Sequence, residues 1–184
     1  TMTIGFGHGI AVSPLQLAAG VASMVNGGVY HQPTLIKRND VPLGRRVISE
    51  RTSKKLRKLL RLVVEDGTGG RADVPGYLVG GKTGTAEKSG TSGYRRRALI
   101  SSFIGAFPVD DPQYVVFAML DEPKGTEKTH GFATGGWVAA PVVGQLVRRI
   151  GPLAGIRPYE DELPSVRRDL DINRAPGKST LASY

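Results

Sequence analysis

Cysteine is absent from the 184-residue sequence, which excludes disulfide bonds, thiolate metal sites and a cysteine nucleophile. Aromatic residues are scarce, at 7%, and are not interleaved with the basic clusters, so base-stacking recognition of nucleic acid is unsupported. No apolar run approaches the roughly 18 residues that a membrane-spanning helix needs. The 40% of hydrophobic residues suffices for one sizeable core, in a chain whose formal net charge is +9.

An initiating methionine and a signal-like apolar segment are also missing, since the chain opens at Thr1. We expect the sequence to be part of a longer chain, with any membrane anchor upstream. Histidine is rare, and His8, His31 and His130 have no partner at the spacing of a helical metal site. The sequence therefore predicts no metal site, and it also lacks the G-x-S-x-G elbow of esterases.

The first part of the chain predicts two helices. Ser13, Pro14 and Gln16 form a capping signature, and the following apolar periodicity ends at Asn26 and two glycines. Residues 29–36 have an extended pattern. A second helix begins near Ser49, carries an apolar stripe, and ends in the glycine-rich residues 66–70; the stripe consists of Leu56, Leu59, Leu60 and Val63.

The middle of the chain is rich in strand patterns. We predict strands at residues 76–85, 98–107 and 114–120, a polar loop at 89–97, and a turn at 108–113 that makes the last two strands antiparallel. A helix follows at residues 137–150, closed by Gly151 and Pro152. This order predicts an α+β fold with an antiparallel sheet packed with helices. Residues 1–155 would form the domain, and residues 156–184 a mobile tail.

Lys82, Thr83, Gly84 and Thr85 form the strongest chemical signal in the sequence. If their strand is a sheet edge, its free N–H and C=O groups can pair with an extended peptide, which Gly84 has no side chain to obstruct. The threonine hydroxyls can bind a carboxylate beside the positive charge of Lys82, and the Thr85 amide can face a developing oxyanion. Alone, the tetrapeptide is equally consistent with an ordinary turn near a strand.

An overlapping pattern at residues 76–83 fits the phosphate-binding G-x-x-x-x-G-K-[ST] spacing. Its physical context disagrees, because the supposed loop is apolar and strand-like and no apolar-periodic helix follows Thr83. A basic cluster on the second helix is better explained as a solvated face than as an anion-binding surface. It comprises Lys54, Lys55, Arg57, Lys58 and Arg61. The role of Arg95, Arg96 and Arg97 stays open.

Four segments, taken in order, resemble one protein family. They are residues 5–18 (GFGHGIAVSPLQLA), 67–69 (GTG), 80–86 (GGKTGTA) and 102–108 (SFIGAFP). Together they resemble the C-terminal half of the transpeptidase domain of class B penicillin-binding proteins, above all the septal cell-division enzymes of Gram-negative bacteria. The resemblance covers about residues 1–150.

The resemblance implies part of a penicillin-binding-protein/β-lactamase-like fold and a serine D,D-transpeptidase that cross-links peptidoglycan. It implies peptidoglycan stem peptides and β-lactam antibiotics as ligands, cell-division membrane proteins as partners, no cofactor and no nucleic acid. The expected location is the periplasmic face of the bacterial inner membrane. By the K-T-G match, Thr83, Gly84 and Thr85 would bind the substrate, and the two threonines would hold its carboxylate. The Thr85 amide would complete the oxyanion hole, and Lys82 would tune the proton network.

The sequence departs from the family pattern in one respect: none of its serines begins S-x-x-K or S-x-N. The nucleophile, its activating lysine and the relay serine are expected upstream, so this chain alone is expected to be inactive, poorly soluble or only partly folded. A second interpretation also stays open, namely a non-catalytic module that senses β-lactams or binds peptide termini. The upstream sequence discriminates between the two interpretations.

Overall fold

The computed structural model of the chain describes residues 10–40, 42–90 and 93–159, with the backbone alone for 89, 90 and 93–97. The elements within these ranges, in chain order, are α1 (Pro14–Val25), β1 (Val29–Tyr30), β2 (Arg45–Arg46), α2 (Glu50–Glu65), β3 (Gly80–Gly90), β4 (Gly93–Phe107), β5 (Tyr114–Asp121), α3 (Gly135–Val138) and α4 (Ala140–Leu153). Short 3-10 turns occupy Gly70–Ala72 and Glu127–Thr129. The predicted α+β class is confirmed.

Both predicted helix starts are confirmed in atomic detail. The Ser13 hydroxyl accepts from the Gln16 amide at 3.2 Å, and the Gln16 side chain accepts from the Ser13 amide at 3.1 Å, which completes the capping box. Ser49 caps α2 by accepting from the Thr52 amide at 3.1 Å. These contacts satisfy backbone N–H groups that have no partner within the helix.

The main sheet is antiparallel, in the order β3-β4-β5. Strand β4 lies in the middle, so β3 and β5 are the edges of the sheet within the described part of the chain. The predicted turn between β4 and β5 is confirmed, because Phe107 pairs with Tyr114. A separate two-stranded ribbon joins β1 to β2, so only Val29 and Tyr30 of the predicted extended segment 29–36 are strand.

The predicted polar loop at residues 89–97 is wrong. Strands β3 and β4 extend through most of it and form a long hairpin, with Ser89 paired to Tyr94 and Gly90 to Gly93. Polar composition did not end the strands, because cross-strand pairing supplies the backbone hydrogen bonds whatever the side chains are. Farther down the hairpin, Lys88 binds Asp121 at 2.9 Å and Glu122 at 3.0 Å, and these hydrogen bonds raise the pKa of Lys88.

Two other predicted boundaries shift. Residues 76–79 lie before β3 in a turn closed by the Val74–Tyr77 bridge, so the strand begins at Gly80 instead of Gly76. The predicted helix at 137–150 is two helices, α3 and α4, and α4 continues through Pro152 to Leu153. Composition alone does not locate the helix boundaries, because Pro and Gly are tolerated near helix ends.

The core lies between the sheet and α4. Phe103, Phe107 and Val116 share one face of the sheet and join Val143 and Val147 in one buried cluster. The apolar stripe predicted for α2 is partly wrong, since Leu59 is half exposed. The residues that α2 buries are Ser53, Arg61 and Val64.

The basic cluster on α2 is also not a uniformly solvated face. Arg61 is 8% exposed, and its guanidinium binds Glu65, Asp73 and the Val79 carbonyl, each at 2.9 Å. Arg57 donates to the backbone carbonyl of Asp110. These two arginines therefore fasten α2 to the start of β3 and to the β4–β5 turn, whereas Lys54 and Lys55 face solvent as predicted.

The segment after α4 packs against the domain as far as the structure describes it. Ile156 contacts the core, and Tyr159 donates its amide to Gly76 and its hydroxyl to Asp110, at 2.8 Å each. The predicted tail falls mostly on residues 160–184, which lie outside the described residues. Within the described ranges, no helix has the length and apolar character needed to cross a membrane.

Candidate active site on the β3 edge

The four residues singled out in the sequence lie side by side in β3. Lys82, Thr83, Gly84 and Thr85 pair with β4 residues 104 to 101 in register. Strand β3 has β4 on one side and no strand on the other among the described residues, so the condition of an edge strand is met in this part of the chain. An edge of this kind leaves backbone N–H and C=O groups available to an extended ligand.

The hydroxyls of Thr83 and Thr85 lie on the same face of the strand, because side chains alternate along it. The Thr83 hydroxyl is 2.8 Å from the hydroxyl of Thr68, in the glycine-rich segment that follows α2. The Thr85 hydroxyl accepts from the amide of Gly135, at the start of α3, at 3.0 Å. Both hydroxyls are thus oriented by residues distant in sequence.

Lys82 brings a positive charge to these hydroxyls. Its ammonium donates to the Thr83 carbonyl at 2.9 Å and reaches the Thr83 hydroxyl at 3.4 Å. The side chain is exposed, so the charge faces solvent beside the strand edge. A cation beside hydroxyl donors is the electrostatic arrangement expected of a carboxylate-binding site.

Glycines let α3 lie directly against the strand pair. A Cβ at Gly135 would lie 2.2 Å from the Ser102 carbonyl oxygen and 2.5 Å from that of Gly84. A Cβ at Gly136 would lie 2.3 Å from the Thr68 carbonyl oxygen. Any larger residue would push the helix away and remove the Gly135 amide from Thr85.

Gly84 leaves space beside a neighbouring side chain. A Cβ there would lie 2.5 Å from the Ser102 hydroxyl, which is the end of a side chain that can rotate. The glycine therefore leaves open the face that it shares with Lys82 and Ser102, opposite the face with the Thr83 and Thr85 hydroxyls.

Aromatic side chains flank the site on α3 and the loop before it. Trp137 stacks with Phe132 at 5.2 Å between ring centroids, and His130 meets it edge-on at 5.5 Å. The guanidinium of Arg71 lies 3.3 Å from the centroid of the Trp137 ring, a close cation–π contact. This cluster packs the loop against the segment that carries Thr68.

Three contributors to the site were not singled out from the sequence: Thr68 for its side chain, Ser101 and Gly135. Thr68 lies in the G-T-G segment that supported the family resemblance, and its glycines were the only local signal. Ser101 is fully buried and donates to the Ala133 carbonyl at 2.5 Å. Nothing in a single sequence distinguishes such a serine from any other strand serine.

The nucleotide-binding alternative is excluded by the backbone. Gly80 to Thr83 are already in β3, and the chain continues as strand to Gly90, so no helix N-terminus follows to face a phosphate. The described residues contain no group of three His, Asp or Glu side chains that could hold a metal ion. His8 lies outside the described residues, as do the side chains of Arg95, Arg96 and Arg97.

The sequence matches one protein-family model and is similar to proteins of known families. The family model described as the penicillin-binding protein transpeptidase domain matches residues 1–148. The chain is 46% identical over 163 residues to a probable peptidoglycan D,D-transpeptidase FtsI of Caulobacter vibrioides, covering 83% of this chain and 28% of that protein. It is 42% identical over 173 residues to stage V sporulation protein D of Bacillus subtilis, covering 88% and 26%.

Solved structures agree with the fold. The apo transpeptidase domain of Burkholderia pseudomallei penicillin-binding protein 3 matches with a TM-score of 0.76 at 37% identity, over 86% of this chain and 47% of that one. Penicillin-binding protein 3 of Mycobacterium tuberculosis, complexed with ampicillin, matches with a TM-score of 0.75 at 27% identity, over 87% and 39%. The chain thus spans between a quarter and a half of the length of these relatives.

Proposed function

The chain belongs to the penicillin-binding protein transpeptidase domain family, and on that premise we propose that it is the substrate-binding half of a serine-type peptidoglycan D,D-transpeptidase. The observation that carries the proposal is the set of Thr83 and Thr85 hydroxyls and the Lys82 ammonium on an exposed strand edge. A D-alanyl-D-alanine stem-peptide terminus presents the matching groups: an extended backbone and a free carboxylate.

The strand edge binds the peptide in two ways. Backbone groups of β3 pair with the extended stem peptide as an added strand, and the threonine hydroxyls donate to its terminal carboxylate. Lys82 contributes positive charge beside the same carboxylate. It also lies beside the groups that transfer protons in the reaction, which include the relay serine expected upstream. β-Lactams carry a carboxylate next to a reactive amide, so the same edge accepts them.

The chemical step needs an attacking serine and an oxyanion donor. The serine oxygen forms an ester with the penultimate alanine carbonyl, and the C–N bond breaks so that D-alanine leaves as the protonated amine. An amine of a neighbouring stem peptide then attacks the ester, which frees the serine and forms the cross-link. In this scheme the Thr85 amide stabilises the negative charge on the carbonyl oxygen in both steps.

The attacking serine is not one of this chain's serines, since none begins S-x-x-K. We assign the nucleophile and the relay serine to sequence upstream of Thr1, together with a membrane anchor that holds the domain on the periplasmic side of the inner membrane. Cell-division membrane proteins are the partners that follow from a septal role. The likeness to a transpeptidase named FtsI supports that role.

Labelling by a fluorescent penicillin tests the proposal in the complete gene product, meaning this chain with its upstream sequence. We expect label that survives denaturation, because the acyl-enzyme is a covalent ester. Thr85→Val should slow labelling at least about tenfold through loss of a hydrogen bond to a charged group, and Lys82→Met should abolish it. Lys88→Met is the matched control, since this lysine of β3 binds Asp121 and Glu122 instead.

Three outcomes would contradict the proposal. Unchanged labelling of the Lys82 and Thr85 variants would remove the site assignment. Label that is lost on denaturation would favour the second interpretation, a non-catalytic module that binds or senses β-lactams. Absence of S-x-x-K and S-x-N elements in the upstream sequence would favour that module independently of any labelling.

A further inference from the structure

Thr68 occupies the loop that leaves α2, and two flanking glycines set its position. A Cβ at Gly67 would lie 2.8 Å from the Val63 carbonyl oxygen, and a Cβ at Gly69 would lie 3.1 Å from the ring of Phe103. Phe103 is the cross-strand partner of Thr83. The glycines therefore let the loop close onto α2 and onto Phe103, which brings Thr68 beside Thr83.

The backbone of Thr68 is held from a second side by α3. Its carbonyl oxygen is so close to Gly136 that a Cβ there would lie 2.3 Å away. The Gly69 amide also donates to the Val63 carbonyl at 2.9 Å, which fixes the chain direction just after Thr68. The residue itself is exposed, so the hydroxyl pair that it forms with Thr83 is accessible from solvent.

The hydroxyls of Thr68 and Thr83 together have one O–H donor that their mutual hydrogen bond does not use. Thr68 and Thr83 lie 2.8 Å apart, and in such a pair one hydroxyl donates while the other keeps its proton. Thr85 uses its oxygen to accept from Gly135, so its proton is also available. A row of Thr68, Thr83 and Thr85 thus presents donors to an anion beside the Lys82 ammonium.

We propose that Thr68 is a third hydroxyl of the carboxylate-binding site, and that it sets specificity for ligands with a free terminal carboxylate. The inference rests on the proposed function and deepens it. Thr68 and Thr83 act as one hydrogen-bonded pair, so whichever hydroxyl donates to the carboxylate accepts from the other. The flanking glycines serve to place this hydroxyl, which explains a G-T-G segment that the rest of the site does not use.

The test compares two ligands on the complete gene product: benzylpenicillin, which has a free carboxylate, and its methyl ester, which does not. The measurement is the second-order rate of serine acylation. For Thr68→Val we expect the rate with benzylpenicillin to fall about tenfold, because the Thr83 hydroxyl would lose the hydrogen-bond partner that orients it while it donates to the charged carboxylate. The rate with the methyl ester should change less than about twofold. The ratio of the two acylation rates, free acid over ester, should therefore be smaller in the variant than in wild type.

Thr68→Ser is the matched variant, because it keeps the hydroxyl, and it should retain the wild-type rate with both ligands within about twofold. Its behaviour keeps the test informative if the valine variant does not fold. An unchanged preference for the acid in Thr68→Val overturns the proposal. Equal losses with both ligands also overturn it, since they indicate a structural role alone. Failure of wild-type protein to acylate with either ligand instead contradicts the proposed function.

Discussion

Ser101 and Thr85 lie directly opposite each other on β4 and β3, and their hydroxyls hold the two ends of the same turn. Ser101 donates to the carbonyl of Ala133 at 2.5 Å, and Thr85 accepts from the amide of Gly135 at 3.0 Å. The loop before α3 is therefore fastened to the strand that carries the proposed carboxylate site. A change in either contact is expected to affect both the stability of the loop and the orientation of the Thr85 hydroxyl.

Replacing Ser101 by alanine should lower the free energy of unfolding by about 1–2 kcal/mol. The partly buried Ala133 carbonyl would lose its donor, and the loss of such a hydrogen bond costs roughly that much. Denaturant unfolding of the complete gene product measures the change. Ser102→Ala is the control, since Ser102 is the next residue and lies on the opposite face of the sheet. Equal destabilisation by both variants would show that the Ser101 hydroxyl has no special role.

Replacing Gly135 by alanine should displace α3 from the sheet. The new methyl group would meet two backbone carbonyl oxygens at 2.2 and 2.5 Å, neither of which can rotate away. Overpacking of this kind costs about 1–3 kcal/mol of stability. We also expect penicillin labelling to slow, because Thr85 would lose the Gly135 amide.

Gly70→Ala is a matched control for that substitution. Its Cβ would make one ordinary contact, at 3.5 Å from the Val64 carbonyl oxygen. We expect thermal unfolding and labelling of this variant to stay close to wild type. If Gly135→Ala matched Gly70→Ala in both measurements, close packing of α3 on the strands would not be essential.

Replacing Arg61 by methionine should destabilise the protein by about 2 kcal/mol. The guanidinium is nearly buried and serves three acceptors, while Glu65 and Asp73 are partly exposed and can regain water, which limits the loss. Lys54→Met on the same helix removes a solvent-exposed pair with Glu50 and should have no measurable effect. Denaturant midpoints of the two variants give the comparison, and similar midpoints would contradict it.

The Tyr159 hydroxyl predicts a dependence of stability on alkaline pH. Burial, with the hydrogen bond to Asp110, raises the pKa of Tyr159 to about 12. Because the folded pKa lies above the unfolded value near 10, the stabilisation is complete below about pH 10 and is lost as pH rises through 12.

Tyr159→Phe checks this assignment. The stability difference between wild type and the variant should be constant below about pH 10 and should shrink toward pH 12. Ultraviolet titration of tyrosinate should show one late-titrating tyrosine that the variant lacks. A wild-type protein whose tyrosines all titrate near the ordinary pKa would rule out the contact with Asp110.

Local features of the fold could be predicted from neighbouring residues. The capping box of α1 and the turn between β4 and β5 need only residues a few positions apart, and both were predicted correctly. The length of the β3–β4 hairpin could not be predicted, since its polar residues are strand only because each has a partner across the pair. Leu59 was predicted to be buried and Arg61 exposed, and both errors reflect which side of α2 meets the start of β3.

The sequence by itself determined the chemistry available at the site: the Lys-Thr-Gly-Thr run, the lack of cysteine, and the lack of an S-x-x-K serine. These properties depend only on which side chains are covalently present. Tertiary structure decided which residues come into contact at the site, because Thr68 lies 15 positions from Thr83 and Gly135 lies 50 from Thr85. Contacts across such separations form only when the sheet, α2 and α3 pack together, and a short sequence motif does not predict that packing.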